Sequence, residues 1–202
     1  MDHYRMHKKF HVAVDCIIFG FDGSSLQVLI HKRKIEPCRG EWSLFGGFVG
    51  KEEGLDEAAA RVLYDLTGLR NIYMEQLRTY GDPLRDPAGR VVSVAYYALL
   101  PVARVEEIVS GLPEVNWIPA DELPQMVCDH RIMIQDGLLQ LRERARTEPL
   151  GFELLPEKFT LPQIQRLYEA IYGRVIDTRN FRKKILSLKV LEKLPQKDRT
   201  NS

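Results

Sequence analysis

The apolar pattern of the chain changes period at Leu55, and that change dictates a layered fold. Upstream, His11 to Phe19 and Leu26 to His31 are short β-branched runs that read as two strands of a hairpin, with residues 20–25 as the turn around Asp22-Gly23. A loop from Lys34 to Glu41, carrying Pro37 and Gly40, leads into Trp42 to Val49. Downstream, Leu55, Ala58, Ala59, Val62, Leu63 and Leu66 fall on one face of a 3.6-residue period, and Gly68 supplies a left-handed stop. Val91 to Leu100 is the clearest strand, after a polar, turn-rich loop over residues 81–90. Val115 to Ile118 reads as a further strand and Ile132 to Ala145 as a helix.

The pattern changes again after Ala145. Thr147 to Phe159 holds Pro149, Gly151 and Pro156 and reads as a hinge or linker. Thr160 is an N-cap, Pro162 sits in the first turn, and Leu161, Ile164, Leu167, Tyr168 and Ile171 form an apolar stripe that Gly173 ends. Asp177 or Thr178 caps a further helix through Leu186. The chain therefore divides into two units: residues 1–148, an α/β body, and residues 149–202, a small helical domain.

Charge separates the same two units. The net charge of +1 conceals a tail from Gly151 with 11 basic and 6 acidic residues, against 18 basic and 22 acidic residues before it. A basic helical domain on a weakly acidic body points towards nucleic acid or another acidic partner. No apolar run approaches the roughly 20 residues that cross a bilayer, and the N-terminus has no signal-peptide core, so no membrane partner is expected. The scattered cysteines, Cys16, Cys38 and Cys128, suit a reducing cytoplasm.

Gly47, Glu53, Arg61, Leu63, Gly68 and Leu69 lie at the spacing of the Nudix box, which this stretch resembles. The resemblance covers about residues 10–145 and implies an α+β fold, with a mixed sheet in a Nudix-like α/β/α sandwich. In that family, glutamates of the second half of the box hold Mg²⁺ for diphosphate hydrolysis. Here those positions are Val62, Asp65 and Leu66, so two carboxylates are gone and the third is a methylene shorter. Glu52, Glu53, Asp56 and Glu57 lie a turn or two earlier and read as charges favoured by a helix N-terminus. The expectation is a Nudix fold reused as a binding pocket, with no catalytic residue, no metal and no cofactor.

In the tail, two helices joined by Gly173 to Ile176 fit a helix-turn-helix. Its second helix offers Thr178, Arg179, Asn180 and Arg182 to base edges, and Lys183, Lys184 and Lys189 to phosphates. Thr160 is a further DNA-contact candidate at the start of the first helix. Leu154 to Pro162, Leu167 to Gly173 and Asp177 to Lys184, together with Arg85-Asp86-Pro87 and Asp129-His130, resemble the Nudix-related transcriptional regulators. In that family a degenerate Nudix domain is joined to a winged helix-turn-helix. No second strand to complete a wing is visible after Val190-Leu191-Glu192.

The resemblance implies a small-molecule effector, either ADP-ribose, with control of NAD metabolism, or a pentose such as arabinose, with control of sugar use. An ADP-ribose site could draw cations from Lys32, Arg33, Lys34 and Arg61 and a platform from Trp42, Phe45 or Tyr80. A pentose could be held by Asp15, Arg33, Glu36 and Trp42. Asp15 is the one charged side chain in its strand, and it either binds ligand or pairs with Arg33 or Lys32. The lost diphosphate–metal site favours the sugar. The expectation is a ligand-responsive repressor that binds double-stranded operator DNA as a homodimer and moves at residues 147–159; the rivals are a Nudix diphosphate hydrolase and a module for protein partners. His3, His7 and His11 are not expected to bind metal. Of Tyr96 and Tyr97, one is expected in the core and one at the surface. Cys128 is expected to pack.

Overall fold

A computed structural model describes residues 6–194. Seven strands form one mixed sheet: β1 (His11–Phe21), β2 (Leu26–Lys32), β3 (Trp42–Ser43), β4 (Phe45–Phe48), β5 (Glu75–Tyr80), β6 (Val91–Leu99) and β7 (Val115–Pro119). The main path runs β3-β2-β1-β6-β5, with β4 on β1 and β7 on β2. The β1–β6 pair is parallel, His11 to Phe19 against Val91 to Leu99, and the other pairs are antiparallel.

Strand β1 explains the layering. Val14, Cys16 and Ile18 pack beneath helix α1 (Leu55–Thr67) and helix α2 (Val102–Val109). Ile17, Phe19 and Phe21 face the opposite way, towards α3 (His130–Thr147). A strand covered on both faces reads as a continuous apolar run. Tyr96 and Tyr97 are both buried for the same reason, at 1% and 3% exposure, which corrects the expectation of one surface tyrosine. Helix α1 starts where the Glu57 carboxylate accepts from the Gly54 amide and stops where Gly68 takes φ 81°.

After α3 come α4 (Leu161–Tyr172) and α5 (Thr178–Ser187), with Thr160 and Asp177 as N-caps. The expected hinge is packed rather than loose. Leu150, Leu154 and Leu155 are buried in one apolar cluster with Leu141 and Ala145 of α3, Ile164 and Leu167 of α4, and Phe181 and Ile185 of α5. Tyr172 donates to Ala145 O (2.8 Å), Arg142 to Ile171 O (2.9 Å) and Lys184 to Arg146 O (3.1 Å). The body and the helical domain thus share a core along α3. The stretch where no second wing strand is expected lies mostly beyond Leu194, outside the described residues; His3 also lies outside them.

Candidate functional site

At the box, sequence produces close packing. A Cβ on Gly47 would lie 2.7 Å from Val62 Cγ2, so the valine occupies the space beneath the glycine and is 3% exposed. Arg61 donates to Glu53 (2.5 Å) and to Phe48 O (3.0 Å), and lies 3.6 Å from Asp65. Hydrogen bonds from Arg61, reinforced by the Gly50 amide, hold the Glu53 carboxyl down at about 2. Asp56 accepts from Tyr96 OH (2.6 Å), and Glu57 accepts from the Gly54 amide (2.8 Å).

These donors do not fit Mg²⁺, which wants several free oxygens in near-octahedral array. Val62 and Leu66 offer none, Asp65 stands alone against Arg61, and three of the four upstream carboxylates already serve other partners. Among the described residues no group of three or more His, Cys, Asp or Glu could hold a metal ion.

The six expected effector residues do not converge. Phe45 is fully buried on the α1 side of the sheet, stacked on His31 at 4.8 Å. Asp15 faces the α3 side, and Arg61 lies on the outer surface of α1. Arg33 donates to Pro37 O (3.0 Å) within its own loop, where Glu36 is exposed, and Trp42 lies half-buried beneath Lys32. Arg33, Glu36 and Trp42 thus gather around the β2–β3 loop, while Asp15 sits on the α3 side of the sheet, beside His130.

Asp15 pairs with neither Arg33 nor Lys32. It accepts from Ser93 Oγ (2.5 Å), lies 3.6 Å from Arg85 and is 3.5 Å from His130 Nε2. Arg85, buried, also grips Asp129 in bidentate fashion (2.6 and 2.9 Å). His130 Nδ1 accepts from the Leu44 amide (3.0 Å), which leaves the neutral ring's proton on Nε2, facing Asp15. Burial pushes the His130 pKa down against the pull of Asp15. The sequence signal for this network is the lone charge of Asp15 in its strand, together with Arg85 and Asp129-His130, which the family resemblance also marks.

Over this network opens a cavity of about 490 Å³ between β5, the β5–β6 loop and the head of α3. Arg78, Tyr80, Asp82, Arg85, Asp129 and Ile132 line it, with Cys128 beside them. Cys128 is exposed at φ 49°, not packed in the core as expected, and partial desolvation of its sulfur raises the thiol to about 11.

On α5, Phe181 and Ile185 are buried, while Arg179, Arg182 and Lys183 are exposed on the outer side. Asn180 and Lys184 line a groove facing the end of α3. Thr178 accepts from Gln165 (3.1 Å), and Thr160 is engaged in its cap with Gln163. Lys189 is exposed at φ 55° just past the helix. The expected DNA-contact set thus divides into an outward cationic row, an exposed pair beside the groove, the capping Thr160, Thr178 bonded to Gln165, and Lys189 beyond the helix.

Comparison with known proteins gives two family matches: the NUDIX domain over residues 9–136 and the NrtR DNA-binding winged helix domain over residues 151–202. The chain is 31% identical over 189 residues to the ADPR responsive transcriptional repressor NtrR of Acinetobacter baylyi, covering 92% of this chain and 76% of that protein. It is similar to the crystal structure of Shewanella oneidensis NrtR complexed with a 27mer DNA, at TM-score 0.83 and 29% identity, covering 94% of this chain and 90% of that one. The NUDIX domain of the same Shewanella protein, complexed with ADP ribose, matches at TM-score 0.57 and 30% identity, covering 68% of this chain and 92% of that one. The ADP-ribose pyrophosphatase of Methanocaldococcus jannaschii is 34% identical over 134 residues, 66% of this chain and 76% of that protein.

Proposed function

From the premise that the chain belongs to the NrtR family, a Nudix domain followed by a winged-helix DNA-binding domain, we propose that it is an ADP-ribose-responsive repressor of genes of NAD metabolism. The observation that carries this reading is the pairing, in one chain, of an outward Arg179–Arg182–Lys183 row with a Nudix box whose metal positions are Val62, Asp65 and Leu66. An exposed basic helix serves DNA, and a Nudix fold without its carboxylates binds rather than cuts.

ADP-ribose replaces the pentose as the expected effector. The sugar preference rested on a lost metal site, whereas two relatives are described with ADP-ribose as signal or bound ligand. The protein acts in the cytoplasm as a homodimer on paired half-sites, and each protomer places one α5 in a major groove.

The test is binding of the purified chain to DNA from the promoters of NAD-metabolism genes, at two salt concentrations, with ADP-ribose or arabinose added. Salt-sensitive binding released by ADP-ribose alone is the expected result. The 34% identity to a pyrophosphatase makes hydrolysis the second reading. Mg²⁺-dependent release of AMP from ADP-ribose, without specific DNA binding, would establish that reading instead.

A further inference from the structure

Helix α3 is tied to β5 and the loop that follows it by three polar rungs. Arg85 holds Asp129 next to its first turn. Arg78 (3.2 Å) and Tyr80 OH (2.8 Å) hold Asp136 two turns on, and Glu75 holds Arg144 (2.6 Å) near the end. The other side of the same helix carries the bonds to Ile171, Tyr172 and Lys184 of the winged-helix domain. An 18-residue helix spans about 27 Å, so α3 runs from the cavity to the DNA-binding domain as one rigid piece.

The cavity at its head has a mixed lining. Arg78 and Arg85 supply positive charge, Asp82 and Asp129 supply acceptors, and Tyr80, Leu84 and Ile132 supply apolar surface. A ligand that carries phosphates, sugar hydroxyls and a flat base asks for those three together. The two arginines differ in freedom. Arg85 is 3% exposed and gripped at both ends, a fixed charge in the floor. Arg78 is 62% exposed and holds Asp136 by one long contact, a pair that contributes little and is readily exchanged.

We propose that this cavity receives the diphosphate and ribose of a nucleotide effector, with Arg78 leaving Asp136 for a phosphate, so that the loosened middle rung of α3 becomes the signal to the winged-helix domain. The site rests on the ADP-ribose reading above and gives it a place and a moving part. Arg85 anchors the phosphate side without moving, and Asp82 and Asp129 accept from the ribose hydroxyls.

The experiment is calorimetric titration of ADP-ribose into the full chain and its variants, with operator binding followed in parallel. Arg78→Ala is expected to weaken ADP-ribose about tenfold, the loss of one charged hydrogen bond, and Arg78→Lys to recover part of it. Asp136→Asn is expected to act with the opposite sign. It tightens ADP-ribose about threefold by freeing Arg78, and it lowers operator affinity without ligand. A purely structural role would move Arg78→Ala and Asp136→Asn the same way. Cys128, at the lip of the cavity, is also expected to be shielded from maleimide by ADP-ribose while Cys38 is not. Unchanged affinities in both of those variants with unprotected Cys128, in a chain that does bind ADP-ribose, would overturn the site and leave the sensor reading standing. No binding of ADP-ribose to the unaltered chain would overturn both.

Discussion

A carboxylate inside a central strand must find a countercharge or stay protonated, and Asp15 finds Arg85 from the β5–β6 loop. The two partners lie far apart along the chain, so the sequence could show that Asp15 needed a partner but not which one. Lys32 and Arg33 looked nearer only in chain position. The network is also tight. A Cβ on Gly46 would fall 2.1 Å from Asp15 Oδ1, so Gly46→Ala is expected to destabilise by about 1–3 kcal/mol in urea denaturation, against near-neutrality for Gly81→Ala, where nothing lies within 4 Å. The imidazole adds a pH signature. His130 and His31 are both held below their ordinary pKa, burial being the larger cause in each. The unfolded chain therefore binds protons first as pH falls, and the stability that is full above about 6.5 declines below it. Glu53 and Asp22, also held low, add a separate loss in the carboxylate range. The urea midpoint should fall between about pH 7.5 and 5.5 and again below about 4; a flat midpoint across the first window would contradict a neutral buried His130.

Helix α5 shows what element-level patterning can and cannot disclose. Its apolar spacing places Phe181 and Ile185 inward, and the structure agrees. Which polar residues face outward depends on where α3 ends, a contact between distant segments that no local pattern encodes. Both lysines are exposed, but Lys184 donates to Arg146 O while Lys183 points away from α3. Lys183→Ala should therefore lower the slope of log affinity against log salt by about one, and Lys184→Ala by clearly less, in operator titrations over a salt series. Equal slopes for the two variants would place both lysines on phosphates. Two elements escaped the sequence pattern altogether. Strand β5 carries a register irregularity between Gln76 and Thr79 that breaks the two-residue alternation. Helix α2 is eight residues long and rich in valine, and it follows the strand β6 so closely that periodicity alone cannot separate them. Helix α1, long and capped at both ends, was legible throughout.

At the scale of the molecule, proline, glycine and a charge change mark residues 147–159 as a boundary, and composition was a sound guide to a change of module. It was a poor guide to mechanics, because Leu150, Leu154 and Leu155 sit in a core that both modules share. A shared core makes one cooperative unfolding transition the expectation, and it makes motion a matter of repacking along α3 rather than of swinging about a linker. Coupling of that kind is reciprocal. If ADP-ribose weakens operator binding by some factor, operator DNA must weaken ADP-ribose by the same factor. Tyr172, half-buried, reaches across the joint to Ala145 O at 2.8 Å, and one such bond contributes about 1 kcal/mol. Tyr172→Phe removes it without a cavity and without touching either binding surface. The variant should bind ADP-ribose alone and operator alone within about twofold of the unaltered chain, yet show a coupling factor reduced by up to about fivefold in both directions of titration. A coupling factor that survives intact would mean that the signal does not cross at Tyr172 and that the bonds from Arg142 and Lys184 suffice to carry it.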